Sequence, residues 1–533
     1  MRDAGSVAAV LARWRAVFLA GFVTLFLVKL MLAATLSPFG DEAFYWQESR
    51  HLAWGYSDLP PLTAWLIRFG ESIAGHGLLG MRWPFLLIGS ALPWLVRAFS
   101  RDLFGERAGW QAGVLCLALP LSGTLGVMAM PDVPLTVAIM VALWALTRAM
   151  AGNHMRDWLG LGVSLGVCWL THYRAAMPML AGLLLLVATP RGRQQWRRGG
   201  LWIAMAIAAL GLIPLAVSNW KQGGAGVAFQ LVERNPWRFH ADALVQPLEQ
   251  AIACTPLLYL LLLWAAWQSW RRRARAPWDV ISVVSLCFLV FYFVLGLFAD
   301  DLRFRAHWPL PGYLPLLAAL PVWLREHPPW RKAWLVAAFG LAVLGQMGGL
   351  LYLGMAAHEQ GAGVLAGVKA FPARFVGWKE SADVARGWLA QQPRVLVADN
   401  FMLAAELDFQ LGGSVPVFSL DNPLNMKHGR APQLAIWQRD ETSLRRLHGG
   451  EAMLLVVDEK ALRVHERPAW LRTLCSRVAQ PQALQRLDLF EGRRRMAFYA
   501  GEVPEALPVM AVADDGCLPW RNASAAENGV AKD

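Results

Sequence analysis

The chain has 533 residues, a formal net charge of +12, 56% apolar residues and a mean hydropathy of +0.37. These figures exclude a string of ordinary soluble domains and describe one large membrane domain with an appendage. The excess positive charge lies in short arginine clusters between apolar runs, so it reports membrane topology and argues against a nucleic-acid partner. The 27 tryptophans agree, because indole rings gather where headgroups meet hydrocarbon.

The first apolar run, Val17–Leu36, is about twenty residues long, enough to cross a bilayer. It is too long for a cleavable signal and no small-residue cleavage site follows it, so it reads as a retained span. Further runs fall at Met81–Val96, Trp110–Val127, Val133–Leu146, Trp158–Thr171, Met177–Ala188, Leu201–Val217, Ala251–Trp267, Val280–Phe298, Trp308–Trp323 and Trp334–Leu353. The expectation is an α-helical polytopic membrane protein of about eleven spans. The connecting segments alternate. One set is arginine-rich, as at Arg97 to Arg107, Arg191 to Arg198 and Arg271 to Arg275; the other holds most of the loop acids. The positive-inside rule puts the first set, and the N-terminus, in the cytoplasm. An odd number of spans then exports the C-terminal portion.

Between the first two spans lies GDEAFYWQESRHLAWGYSDLPP, residues 40–61. Its acids Asp41, Glu42 and Asp58 and its aromatics Tyr45, Trp46 and Tyr56 suit a site that handles a polar group on a lipid; the alternative is a solvated loop with belt aromatics. Asp132 opens a span, where the helix dipole favours a carboxylate and an N-cap is the plainer reading. Thr171–Arg174 ends a span at the same face and could touch a phosphate or sugar through His172 and Arg174, with His172 equally readable as an interfacial histidine. Arg234, Arg238, Arg303, Arg305 and His307 supply further outer cations, each also able to pair with Glu233, Asp300 or Asp301. Lys29, inside the first span, is expected to snorkel to the headgroups.

This set fits glycosyl transfer from a lipid phosphate. The acceptor hydroxyl needs a positioned base, and the leaving phosphate needs fixed cations, for which the arginine fork is suited. Asp41, Asp132 and Glu42 are the candidate catalytic residues, with Glu42 either orienting a neighbour or facing water. Arg174, Arg234, Arg303, Arg305 and His307 are candidates for the donor phosphate, and Tyr45, Tyr56, Asp58 and His172 for the substrate. No CxxC or HExxH spacing is present, and no metal or cofactor is called for, although an outer acidic pair can bind a divalent cation.

Beyond Leu353 hydropathy falls. Trp378–Ala390 reads as an amphipathic helix, Arg394–Ala398, Pro416–Leu420 and Met453–Val457 as strands, and Phe401–Leu411 as a helix capped by Asp399 or Asn400. The domains expected are a membrane domain over 1–354, an outer α/β domain over 355–513 and a disordered polar tail over 514–533. In the outer domain, Asn425, Lys427, His428 and Arg430 form a basic cluster that could meet an anionic acceptor or headgroups, or be an ordinary surface loop. Cys475 and Cys517 could pair if this portion is exported, whereas Cys116, Cys168, Cys254 and Cys287 lie in apolar runs.

GDEAFYW, GYSDLPPLTAWLIRFG, MRWP, LFGERAGWQAGVLCLALP, MPDVPL and RFRAHWPLPGY together resemble the GT-C glycosyltransferases. The closer resemblance is to the protein O-mannosyltransferase superfamily, with its bacterial branch of lipid A aminoarabinose transferases. It covers roughly the first two thirds of the chain. The resemblance implies an inverting transferase that takes one sugar from polyprenyl phosphate, such as undecaprenyl phosphate, at the periplasmic face of the inner membrane. The acceptor would be lipid A, another envelope glycan or a protein. Carried over by position, Asp41 looks like the catalytic base and Asp132 like the second acid. Family members often carry a basic residue before the proline of the loop end; Leu59 stands there, so that phosphate contact is missing or falls to Arg174 or Lys29. The rival readings are a transporter or flippase of polyprenyl-linked sugars, and a non-catalytic envelope scaffold. A transport path needs polar residues deep in the spans, and apart from Lys29 these are few.

Overall fold

The computed structural model describes residues 2–229, 237–298, 306–326 and 332–506. All eleven apolar runs lie largely on helices. Six helices among the described residues are long and apolar enough to cross a membrane: Ala8–Thr35, Leu78–Phe104, Asp132–Gly152, Gly199–Lys221, Trp278–Phe298 and Ala333–Ala356. A seventh span results if Ala243–Cys254 and Pro256–Arg271, bent by 111° at Thr255, count as one. The chain is a multi-pass membrane protein.

The remaining runs make shorter helices: Glu106–Ala118, Met155–Thr171, Ala176–Ala188 and Leu310–Arg325. Local chemistry explains one of them. Pro120 lacks an N–H and splits the run Trp110–Val127 into Glu106–Ala118 and the single turn Pro120–Gly123. Small residues let the membrane helices approach. A Cβ on Gly211 would fall 2.4 Å from the Gly166 carbonyl oxygen, which fixes glycine where Met155–Thr171 meets the end of Gly199–Leu210.

By packing, the chain divides into two compact units: Met1–Ala34 with Leu52–Leu353, and Thr35–His51 with the chain from Gly354. The first is built on a helical core in which Leu92, Val96, Leu143, Phe288, Leu317 and Trp323 are buried.

The second unit is organised by a five-stranded mixed sheet, β1 (Val395–Ala398), β2 (Val417–Ser419), β3 (Ala452–Asp458), β4 (Ala479–Leu489) and β5 (Arg494–Glu502), in the order β2-β1-β3-β5-β4. β1 pairs in parallel with β2 and β3, while β5 is antiparallel to β3 and β4. The three strands expected from β-branched runs are the parallel ones. Asn400, not Asp399, caps Phe401–Gln410: its Oδ1 accepts from the N–H groups of Met402 and Leu403 at 3.0 and 3.1 Å. The β4–β5 hairpin was not legible because β4 is polar and only part-buried, which leaves β5, buried from Met496 to Tyr499, without a recognisable partner strand.

Asp399, at the end of β1, is fully buried beside Asp458 at the end of β3. It accepts from Trp470 Nε1 at 3.1 Å and Asn400 Nδ2 at 2.8 Å. Burial, and then the Asp458 charge, push its carboxyl up to about 7. The folded unit therefore holds this proton more tightly than the unfolded chain. Stability from this group is intact below about pH 4 and declines as pH rises to about 7, by on the order of 4 kcal/mol. Asp399→Asn is expected to flatten the pH dependence of thermal unfolding in detergent across that interval; an unchanged slope would refute the assignment.

Candidate active site

The segment after the first span forms the helix Gly40–Arg50, which belongs to the second unit. Glu42, wholly buried, accepts the Phe39 N–H at 3.3 Å and so closes the helix N-terminus. Glu42 therefore does not face water. The helix packs on Phe401–Gln410: Phe44 meets Phe401 and Trp46 meets Phe409 with ring centroids 5.6 and 5.3 Å apart. Gln47 donates to Asp408 at 2.7 Å.

Asp41 meets the basic cluster of the second unit. Arg430 Nη2 lies 3.3 Å from Asp41 Oδ1, and His428 Nδ1 lies 3.9 Å from the same oxygen. The other Arg430 nitrogen, Nη1, is 3.5 Å from Glu48 Oε1. Asp41 and Glu48 are seven residues apart, hence on one face of the helix two turns from each other. The guanidinium is 3% exposed and stands 4.3 Å from the Phe44 ring and 5.1 Å from the Tyr45 ring. Local structure aims it. Asn425 Oδ1 accepts the Phe401 N–H at 2.9 Å while its amide donates to Leu420 O at 2.9 Å, and Gly429 takes φ +69° to reverse the chain. Asn425 is thus a structural pin, and Lys427 is exposed.

In the first unit, Asp132 is the first residue of its helix and does not act as an N-cap. Its Oδ1 binds Arg174 Nη2 at 2.6 Å and lies 3.2 Å from His307 Nε2. The Arg174 guanidinium stands 5.1 Å from the Trp308 ring. His172 Nδ1 accepts the Arg174 N–H at 3.0 Å, capping the turn Tyr173–Ala175, so this ring holds the arginine in place. Tyr56 and Asp58 are buried, with the Tyr56 N–H donating to Leu59 O at 2.8 Å. Lys29 departs from expectation. It is 3% exposed and donates to Ser90 Oγ at 3.3 Å, so it is turned into the helix bundle and does not snorkel. A partner inside the bundle replaces the headgroup contact.

Of the cations expected at the outer face, the structure brings Arg174 and His307 together on Asp132. Arg238 is exposed. Arg234, Arg303 and Arg305 lie outside the described residues, as do Cys517 and the tail over 514–533. Cys475 is disulfide-bonded, and the four cysteines of the apolar runs are free and buried. Among the described residues no group of three or more His, Cys, Asp or Glu could hold a metal ion. The acidic pair does not fit a divalent cation, since Asp41 faces a guanidinium and an imidazole and Glu42 faces a backbone N–H. Glu48 was missed in sequence, and Arg430, read there as part of a basic cluster for an anionic acceptor or headgroups, instead pairs with Asp41 and Glu48. The seven-residue spacing of Asp41 and Glu48 was visible, but nothing local joined it to position 430.

Residues 58–218 match the family described as dolichyl-phosphate-mannose-protein mannosyltransferase. Over 314 residues the chain is 27% identical to the lipid A galacturonosyltransferase RgtD of Rhizobium johnstonii, covering 57% of this chain and 64% of that protein. The chain thus spans less than two thirds of that relative's length. In fold it is similar to ArnT from Cupriavidus metallidurans in the apo state, with a TM-score of 0.65, 17% identity and coverage of 91% of this chain and 98% of that one. The same protein bound to undecaprenyl phosphate matches with a TM-score of 0.64, at 17% identity and the same coverage.

Proposed function

We propose that the chain is a GT-C-type membrane glycosyltransferase that moves one sugar from a polyprenyl phosphate to lipid A at the periplasmic face of a bacterial inner membrane, a reading supported by the family match, the relative and the shared fold. The observation that carries this reading is the convergence of Arg174 and His307 on Asp132 where an apolar span begins. A fixed guanidinium with an imidazole beside it at the end of a membrane helix suits a lipid phosphate, and the helix N-terminus adds its own positive end. An apolar cavity of about 300 Å³ in the same unit, lined by Leu143, Leu146, Leu165, Leu183, Met205 and Phe288, offers surroundings suited to a prenyl chain.

In the proposed step Asp41 takes the proton of the acceptor hydroxyl. The oxygen forms a bond to the anomeric carbon as the bond from that carbon to the phosphate oxygen breaks. The electron pair leaves with polyprenyl phosphate, on which Arg174 and His307 act, and attack from the opposite face inverts the anomeric centre. The proposed architecture has eleven spans, a cytoplasmic N-terminus and an exported C-terminal domain, with a membrane domain over 1–354 and an outer domain over 355–513. In this reading Tyr45, Tyr56, Asp58 and His172 shape the substrate surroundings, while Arg234, Arg303 and Arg305, the other donor-phosphate candidates, lie outside the described residues. The donor sugar is open between a uronic acid, as the name of RgtD suggests, and other hexoses or pentoses.

A deletion strain is expected to lack one sugar on lipid A by mass spectrometry, restored by the intact gene. Unchanged lipid A with a sugar lost from an envelope protein would instead favour a protein acceptor, the reading that the match over 58–218 supports. Unchanged lipid A, glycans and proteins would overturn the transferase.

A further inference from the structure

Asp41 must be ionised and aimed before an acceptor arrives; the N-terminus of its helix favours the charge, but the charged side chain beside it in that turn is a second carboxylate, Glu42. We infer that Arg430, delivered by the C-terminal domain, is the positioning residue for Asp41, aiming its carboxylate through a grip shared with Glu48. This rests on Asp41 being the base. The two nitrogens of one planar fork reach Asp41 at 3.3 Å and Glu48 at 3.5 Å, so the fork's plane is tied to the helix at two points. The rings of Phe44, Tyr45 and Phe401, at 4.3, 5.1 and 5.7 Å, hold the guanidinium and keep water from it. An ammonium could not replace it, having no rigid fork to span both acids.

One cation divided between two acids makes Glu48 a competitor for it. Loss of Glu48's charge concentrates Arg430 on Asp41 and favours the ionised base, while loss of Arg430 disfavours it. The other titratable groups on the elements packed here are Glu42, Tyr45 and Arg50 on the same helix, Glu406 and Asp408 on Phe401–Gln410, and Lys427 and His428 before Arg430. The C-terminal domain thereby becomes part of the catalytic machinery, joined to a helix 389 positions earlier in the chain.

The test is the pH profile of kcat/KM for the full-length protein in detergent, using a synthetic polyprenyl-phosphate sugar. Arg430→Gln is expected to lower kcat about 100-fold with donor KM unchanged, as loss of alignment does, and to move the acid limb up by about one unit or more. Glu48→Gln is expected to move the same limb down. Arg430→Lys should restore the limb toward wild type while kcat stays low. Repeating both in a His428→Gln background separates the imidazole's own titration. Opposite shifts cannot come from a merely structural contact. If Asp41→Asn is inactive yet neither variant moves the limb, this inference is overturned and the base assignment survives. If Asp41→Asn is active, the base assignment itself fails. Should Arg430→Gln not accumulate, Glu48→Gln and Arg430→Lys decide the matter by the same limb.

Discussion

Asp41→Asn is expected to reduce transfer by about 10³-fold or more, within the range set by loss of a positioned general base. The substitution keeps the side chain's size and leaves a carbonyl oxygen facing Arg430 Nη2, so the contact now measured at 3.3 Å is weakened and not emptied. Glu48 still neutralises the buried guanidinium. The unit should therefore fold, and its level and elution in detergent should match the wild type. What is lost is the lone pair that accepts a proton, because an amide oxygen is far too weak a base. Turnover of a synthetic donor, read per mole of folded protein, is the measurement. Full-speed transfer by the asparagine variant would sink the mechanism. A loss confined to protein level would reassign Asp41 to structure.

The second large effect belongs to Asp132 and Arg174, joined at 2.6 Å with side chains 16% and 13% exposed. Asp132→Ala leaves a half-desolvated guanidinium facing no carboxylate, which costs about 3–5 kcal/mol when such a pair is buried. Arg174→Ala removes the cation assigned to the lipid phosphate. A charge-assisted contact contributes about 1.5–3 kcal/mol, so donor KM should rise roughly tenfold to a hundredfold. The two losses should not add. In Asp132→Ala/Arg174→Ala neither charge is stranded, so thermal stability is expected to recover toward wild type while donor binding stays poor. Additive destabilisation in the double variant would mean the pair is not coupled. Unchanged donor KM in Arg174→Ala would move the phosphate elsewhere.

Much of the architecture was written locally. Each of the eleven apolar runs lies largely on helix, although only six described helices, or seven with the bent pair as one, are long and apolar enough to span a bilayer. The three parallel strands and the Asn400 cap were equally local, resting on β-branched runs and a side chain two residues from its partner. The hairpin of β4 and β5 escaped because β4 is polar and part-buried along its length, although β5 buries Met496 to Tyr499. Lys29 was misplaced for a related reason: a lysine near a span's end has two outlets, and only packing against Ser90 shows which is taken.

By itself the sequence determined that this is a membrane protein with an α/β appendage, and it named Asp41, Asp132, Arg174 and His307. Hydropathy, period and caps act over a few residues, and these signals can be read from neighbours. Only the tertiary structure decided which charges meet. Asp132 meets Arg174 and His307 across 42 and 175 positions, and Asp41 meets Arg430 across 389. Pairing of buried charges depends on where helices return in space, and the energy of that return is spread over the whole core, with no trace at either partner.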